Sequence, residues 1–242
     1  MKLDFESQQV VVTGGTRGIG AAISRAFLDA GATVTALFGK NADAARSFQE
    51  QVSSPRLSIR SVDVSDPAAV DGFFDDWERE LHVVVNNAGI RDDAIVGMMT
   101  RAQWDKVLDT NLGGTFQVCK RSVRLMSRAR YGRIINVTSP SGRLGLAGQA
   151  NYAASKAGQV ALSISLAREV ATRNITVNCV SPGFVETDLL SGLDPEVEQS
   201  YRKMVPIGRF AKPEEIAPAV LFLASRAAGY VTGAVLEVSG GL

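Results

Sequence analysis

Val10-Val11-Val12-Thr13-Gly14-Gly15-Thr16-Arg17-Gly18-Ile19-Gly20 carries an apolar β-type run straight into a glycine-rich turn, and a helical pattern (Ala21, Ile23, Phe27, Leu28) follows at once. Consecutive valines are apolar on both faces, the mark of a parallel strand covered on each side. Glycines at the end of such a strand let the backbone turn tightly and approach a pyrophosphate. The helix that starts there offers unpaired amides and a positive dipole end. A glycine-rich loop by itself also fits a plain turn. Between the first strand and first helix of an alternating chain it reads as a nucleotide site built from Gly14, Thr16, Arg17, Gly18, Ile19 and Gly20.

Outward from that turn the alternation continues. Apolar runs at 10–13, 33–38, 57–62, 83–86, 134–138, 176–180 and 235–238 are separated by helical patterns. This order predicts an α/β fold, a single-domain Rossmann-type doubly wound parallel sheet of about seven strands with helices on both faces. The 242 residues, 45% of them hydrophobic, fit one domain spanning 1–242, with no linker, low-complexity stretch or internal repeat.

Composition narrows the function. Lysine plus arginine (26) nearly balances aspartate plus glutamate (25), so no nucleic-acid partner is expected. The start MKLDFESQQ lacks the apolar run of a signal peptide, and charges or glycines interrupt every stretch of bilayer length; no membrane association and a cytoplasmic location are expected. Cys119 and Cys179 sit in apolar segments and read as reduced, buried packing residues. With a single histidine, His82, a His/Cys zinc site is not expected; His82 reads as the residue that opens the fourth strand and meets solvent.

The second strand ends in Ala36-Leu37-Phe38-Gly39-Lys40-Asn41, where a carboxylate for ribose hydroxyls would stand in an NAD site. Arg17 and Lys40 instead offer cations suited to a 2′-phosphate, which predicts NADPH/NADP+ over NADH. After the third strand, Asp63 could accept from the adenine amino group and Val64 could line the ring, although Asp63 also fits a turn acid and Asp66-Pro67 is a helix start. The fourth strand runs into Asn86-Asn87-Ala88-Gly89, which puts Asn87, Ala88 and Gly89 at a carboxyl strand end, where open α/β sheets bind ligands.

The stretch SPSGRLGLAGQANYAASK, 139–156, holds a hydroxyl, a phenol and an ammonium. If 151–171 is helical, Tyr152 and Lys156 lie one turn apart on one face. A phenol works as an acid or base near neutrality when a nearby positive charge favours the phenolate, and Lys156 is such a charge. Ser139, ending the strand 133–138, could donate to a carbonyl oxygen, with Ser141 a nearby substitute. With four tyrosines in the chain a chance Tyr-x-x-x-Lys is not rare; the dinucleotide site gives this one its weight.

TGGTRGIG at 13–20, NNAG at 86–89, Asn111, Ser139, Tyr152 with Lys156, and Pro182-Gly183 together resemble the short-chain dehydrogenase/reductase family over essentially the whole chain. Within it, GQANYAASKAG at 148–158, NITVNCVSPGFVETD at 174–188 and YVTGAVLEVSGG at 230–241 look most like bacterial 3-oxoacyl-[acyl-carrier-protein] reductases. Pro140 departs from the commoner Ser-Ser or Ser-Val pair at that point.

The resemblance implies NADPH-dependent reduction of a 3-oxoacyl thioester in fatty-acid or polyketide-like synthesis. In it Tyr152 gives a proton to the developing alkoxide, Ser139 positions the carbonyl, and Lys156 binds the nicotinamide ribose and lowers the phenol pKa. It further implies that Asn111, in the helix after Gln103, holds a water linking Lys156 to solvent. Pro182, Gly183, Val185 and Thr187 would adjoin the nicotinamide, and 184–210, with Leu189, Leu190, Met204, Val205 and Ile207, would be a substrate lid. Arg130 and Arg173 match arginines that dock an acyl carrier protein. A homotetramer joined through helices at about 103–129 and 152–171 and the last strand is also implied. Alternatives are a reductase of a coenzyme A thioester or small ketone, a dehydrogenase running in reverse, and a catalytically silent nucleotide-binding scaffold.

Overall fold

The computed structural model describes residues 3–187 and 194–242. Seven strands form one parallel sheet: β1 (Gln9–Thr13), β2 (Thr33–Phe38), β3 (Leu57–Ser61), β4 (Val83–Asn86), β5 (Gly132–Val137), β6 (Ile175–Pro182) and β7 (Val235–Val238), in the order β3-β2-β1-β4-β5-β6-β7. Their positions match the apolar runs of the sequence, and the sheet is the Rossmann-type α/β arrangement expected. Around it lie α1 (Gly18–Asp29), α2 (Ala42–Val52), α3 (Pro67–Asp75), α4 (Arg101–Leu108), α5 (Gly114–Ala129), the single-turn α6 (Ser141–Leu144), α7 (Ala150–Val170), α8 (Pro195–Met204) and α9 (Ala217–Ala224).

The two-residue period of the strands divides the core. Val10, Val12, Val83, Val85, Ile135 and Val137 pack with Ile23 and Phe27 of α1 and Val220 and Leu223 of α9. Val11, Val84 and Ile134 face the other way, onto Val70 and Phe74 of α3, Val118 and Met126 of α5, and Ala167 and Val170 of α7. An alternation of one residue thus feeds two helical layers, which is why both faces of the valine runs are apolar.

Between β1 and β4 the strand order reverses, and the carboxyl ends of these two neighbours open a crevice. Hydrogen bonds cross it. Thr13 Oγ1 accepts from the amides of Asn87 and Ala88, both at 3.0 Å, and Asn87 Nδ2 donates to the carbonyls of Thr13 and Gly14, both at 3.1 Å. Gly14 turns at φ +60°, and a Cβ on Gly20 would come within 2.0 Å of Gly14 O and 2.5 Å of Asn87 Nδ2. The turn between β1 and α1 is therefore folded directly onto the Asn86–Gly89 turn.

Local signals fix the remaining boundaries. Asp66 caps α3 by accepting from Ala68 N at 2.9 Å with Pro67 in the first turn, so the helix start read at Asp66-Pro67 is the one used. Thr100 and Gln103 form a capping box on α4. Asp109–Gly113 is a π-helical turn between α4 and α5, so Asn111 lies in that turn and not in the regular helix expected after Gln103. His82 stands directly before β4, part-buried: its Nδ1 accepts from Gln9 N at 3.0 Å, and burial lowers its pKa. The two cysteines are free and buried.

Gly20→Ala should lower the unfolding free energy by about 2 kcal/mol or more, because backbone must move to admit the methyl. Gly72→Ala, in the middle of α3 with nothing within 4 Å of its added carbon, should raise it by roughly 0.5–1 kcal/mol. Urea unfolding of the two variants checks the pair; equal effects would show that the close packing of the glycine turn carries no weight.

Candidate active site

At the carboxyl ends of the central strands lies a cleft of about 730 Å³. Every residue expected to bind the cofactor lines it except Gly20, which sits behind the loop as the contact that keeps it folded. At the β1 end the first turn of α1 carries no acid of its own and no side-chain cap, with Arg17 extended at the N-cap, and this turn lines the cleft. Thr187 lies beside this turn, for a Cβ on Gly18 would meet its Cγ2 at 3.2 Å. This amide cradle in a polar crevice fits a dinucleotide pyrophosphate.

Arg17, Lys40 and Asp63 line the end of the cleft beyond β2 and β3. Asp63 Oδ1 is taken by Ser65, whose amide lies at 3.0 Å and hydroxyl at 2.6 Å; the Ser65 hydroxyl, with help from the Lys40 charge, holds the carboxyl below its ordinary range. Asp63 therefore serves as a turn acid, with Oδ2 left for any adenine contact. Asn87 lines the cleft, and its side-chain amide is committed to the carbonyls of Thr13 and Gly14. Thr13 was not singled out from the sequence, although its place as the last residue of β1 was the available signal.

The chemistry gathers where β5 ends. α7 carries Tyr152 and Lys156 one turn apart, and Lys156, a residue 4% exposed, donates from Nζ to Val137 O at 2.8 Å. It lies 5.6 Å from the Tyr152 ring centre. Ser139 Oγ is 3.0 Å from Ser141 Oγ and accepts from Ser141 N at 3.2 Å, because Pro140 turns the chain helical into α6. Both hydroxyls line the cleft with the phenol.

One expectation needs correcting. Burial pushes the Tyr152 phenol above its ordinary pKa, against the pull of the Ser139 hydroxyl and the Arg91 charge. Lys156 does not bring it below that value, and burial depresses its own pKa to about 8. A phenol held high is protonated at neutrality and so stands ready as a donor. Asn111, fully buried, does not line the cleft: its Oδ1 accepts from Ile90 N at 2.8 Å, and its Nδ2 donates to Ile90 O and Ser155 Oγ, both at 3.0 Å. Its carbonyl accepts from Thr115 Oγ1 at 2.7 Å and Gln159 Nε2 at 2.9 Å. Asn111 thus pins the chain beyond Gly89 to α7.

Around the mouth, Phe184 stacks on Tyr201 of α8 at 4.6 Å, and Glu186 N and Ala211 N bond to Ala211 O and Phe184 O, both at 2.9 Å. The root of the segment after β6 is therefore fastened, with Met204 facing the cleft. Leu189 and Leu190 lie outside the described residues. Arg130 and Arg173 are not brought to the cleft. Each precedes a strand, β5 or β6, and so stands at the amino edge of the parallel sheet, the end opposite Tyr152; Arg130 Nη2 donates to Thr172 O at 3.2 Å.

A family model described as enoyl-(acyl carrier protein) reductase matches residues 14–242. Curated relatives named 3-oxoacyl-[acyl-carrier-protein] reductase include one from Chlamydia muridarum, 43% identical over 98% of this chain and 97% of its own. Those from Aquifex aeolicus and Escherichia coli are 38% identical over all of both chains and 40% identical over 99% of each. The chain belongs to the short-chain dehydrogenase/reductase family. As a short-chain dehydrogenase/reductase it is an oxidoreductase of a family that uses a nicotinamide cofactor. Among the described residues no helix is long and apolar enough to cross a membrane.

Holding Lys156 charged while buried costs this short-chain dehydrogenase/reductase up to about 3 kcal/mol at neutral pH, from a folded pKa of about 8 against 10.5. Between those values the unfolded chain binds more protons, so stability rises with pH through that window; below it the full cost is present. Lys156→Met should therefore be more stable than wild type to urea at neutral pH, with the gain shrinking toward pH 10.5. Equal or lower stability at neutral pH would contradict this.

Proposed function

We propose that the protein is an NADPH-dependent reductase of 3-oxoacyl thioesters carried on acyl carrier protein, acting in fatty-acid or polyketide-like synthesis. One observation carries the reading: the Ser139 and Tyr152 hydroxyls share a cleft with the buried Lys156 amine, and that cleft begins at the uncapped glycine turn. The names of the full-length relatives support it.

The reduced nicotinamide, when bound, supplies the hydride. Ser139 donates to the 3-oxo oxygen and fixes its direction, and Tyr152 gives its proton to the same oxygen as negative charge develops there. A phenol whose pKa is raised by burial suits an acid in the reductive direction. With the cofactor bound, Lys156 would hold the nicotinamide ribose, and Pro182, Gly183, Val185 and Thr187, which line the same cleft, would adjoin the ring. Arg17 and Lys40 hold the 2′-phosphate, with no carboxylate at the end of β2 to repel it.

The family model's description names enoyl reduction instead. In a 2-enoyl thioester the charge appears on the thioester oxygen, three bonds from the carbon that takes the hydride. In a 3-oxo substrate it appears on the oxygen attached to that carbon. A serine hydroxyl and a tyrosine hydroxyl in one mouth suit the second case.

Segment 184–210 acts as the substrate lid, with Met204 turned to the acyl chain. Copies pair along α5 and α7, where Phe116 and Ile164 are exposed, and β7 adds the remaining contact of a homotetramer. Antiparallel pairing carries Arg130 and Arg173 of one copy toward the cleft of the next, so carrier docking involves two copies.

NADPH oxidation measured with acetoacetyl thioester on carrier protein and on coenzyme A, and with a 2-enoyl thioester, tests the reading. The carrier-bound 3-oxo substrate should be used best, Tyr152→Phe should lose about 10²–10⁴ in turnover with NADPH binding retained, and substitution of both Arg17 and Lys40 should abolish the preference over NADH. Preferential enoyl reduction, or a wild-type preference for NADH, would contradict it.

A further inference from the structure

Arg91 comes two residues after the Asn86–Gly89 turn, and its side chain, 16% exposed, lines the same cleft as Ser139, Gln149 and Tyr152. Its guanidinium grips Asp93, with Nε donating to Oδ1 at 3.2 Å and Nη2 donating to Oδ2. Asp93 Oδ2 also accepts from Gln149 Nε2 at 3.3 Å, and Ala94 N donates to Gly148 O at 2.9 Å. Gln149 is 1% exposed and its carbonyl receives Ala153 N at 2.7 Å, inside the turn of α7 that bears Tyr152. The loop after β4 is thus laced to the start of α7, and a fixed cation lines the cleft together with the phenol.

We propose that Arg91 is a positioning residue for proton donation: its guanidinium sets how readily Tyr152 gives up its proton, and Asp93 sets how much of that charge the phenol feels. The proposal rests on the reading of Tyr152 as the proton donor. The other ionisable groups near this site are Lys156 on α7 and Lys106 on α4, which line the same cleft, Lys106 paired at 3.0 Å with Asp92, and Tyr201 on α8, which helps hold the Arg91 pKa up. Lys156 loses its proton at about 8, below the range in which a buried phenol ionises, whereas a guanidinium stays charged throughout. When phenolate forms in the protein by itself, Arg91 is therefore the cation that persists. The electrostatics agree in sign, with Arg91 pulling the phenol down and Asp93 pushing it up.

Tyrosinate absorbance against pH, taken as the difference between each protein and its Tyr152→Phe counterpart, isolates this phenol from the other tyrosines without substrate or cofactor. Arg91→Gln should move its midpoint up by about one pH unit, and Asp93→Asn should move it down. The alkaline limb of the turnover profile should shift the same way in each. Opposite shifts cannot come from general loosening of the loop. An unchanged midpoint in Arg91→Gln, or both variants moving together, would overturn the assignment and leave the reductase reading standing. Wild-type protein that fails to reduce a 3-oxoacyl thioester would instead overturn that reading and leave the titration result intact.

Discussion

A charged amine buried against a single carbonyl is the constraint on which this site depends. Lys156 Nζ reaches the last carbonyl of β5 at 2.8 Å with almost no exposure to water. That bond fixes α7 against the end of the sheet and so sets where Tyr152 stands relative to Ser139, two residues beyond Val137. The arrangement is costly, because one hydrogen bond does not replace the hydration of an ammonium. A donor with two N–H groups left is suited to a ribose brought beside it, and the cost held in the protein by itself becomes binding energy once those partners arrive.

The second requirement is topological. The reversal of strand order between β1 and β4 opens a crevice that the chain then has to keep in shape. Thr13 and Asn87 do this from opposite sides, each bonding to the backbone of the other's turn. Asn111 repeats the device one step further on, with its side-chain amide matched to both polar groups of Ile90. A π-helical turn gives that asparagine its aim, and Thr115 and Gln159 take up the carbonyl the turn releases. Polar side chains that look available for ligands thus turn out to be fasteners, while backbone amides and hydroxyls are left to meet the ligand.

Much of the fold could be read from the chain because its signals are local and periodic. Strand β1 and the glycine turn, the cap at Asp66 and the spacing of Tyr152 and Lys156 all lie within a few residues of the features that define them. What could not be read depends on distant neighbours. The spacing of Tyr152 and Lys156 predicts proximity, but the sign of the phenol's shift is set by desolvation, which that spacing does not show. Asn111 lies in a π-helical turn, where a regular helical pattern places none. Arg130 and Arg173 match a motif, yet strand direction sends them to the edge of the sheet away from the cleft. Arg91 gave no signal, since a charged loop residue is ordinarily just solvated.

Titration of the Lys156 side chain itself tests this account most directly. With the protein labelled at lysine Cε and the Lys156 resonance assigned by its absence in Lys156→Met, the midpoint of its chemical-shift change should lie near 8 in the cofactor-free protein. A midpoint at the ordinary lysine value of 10.5 would mean that the amine is hydrated and not held against Val137, and the account of the site would be wrong.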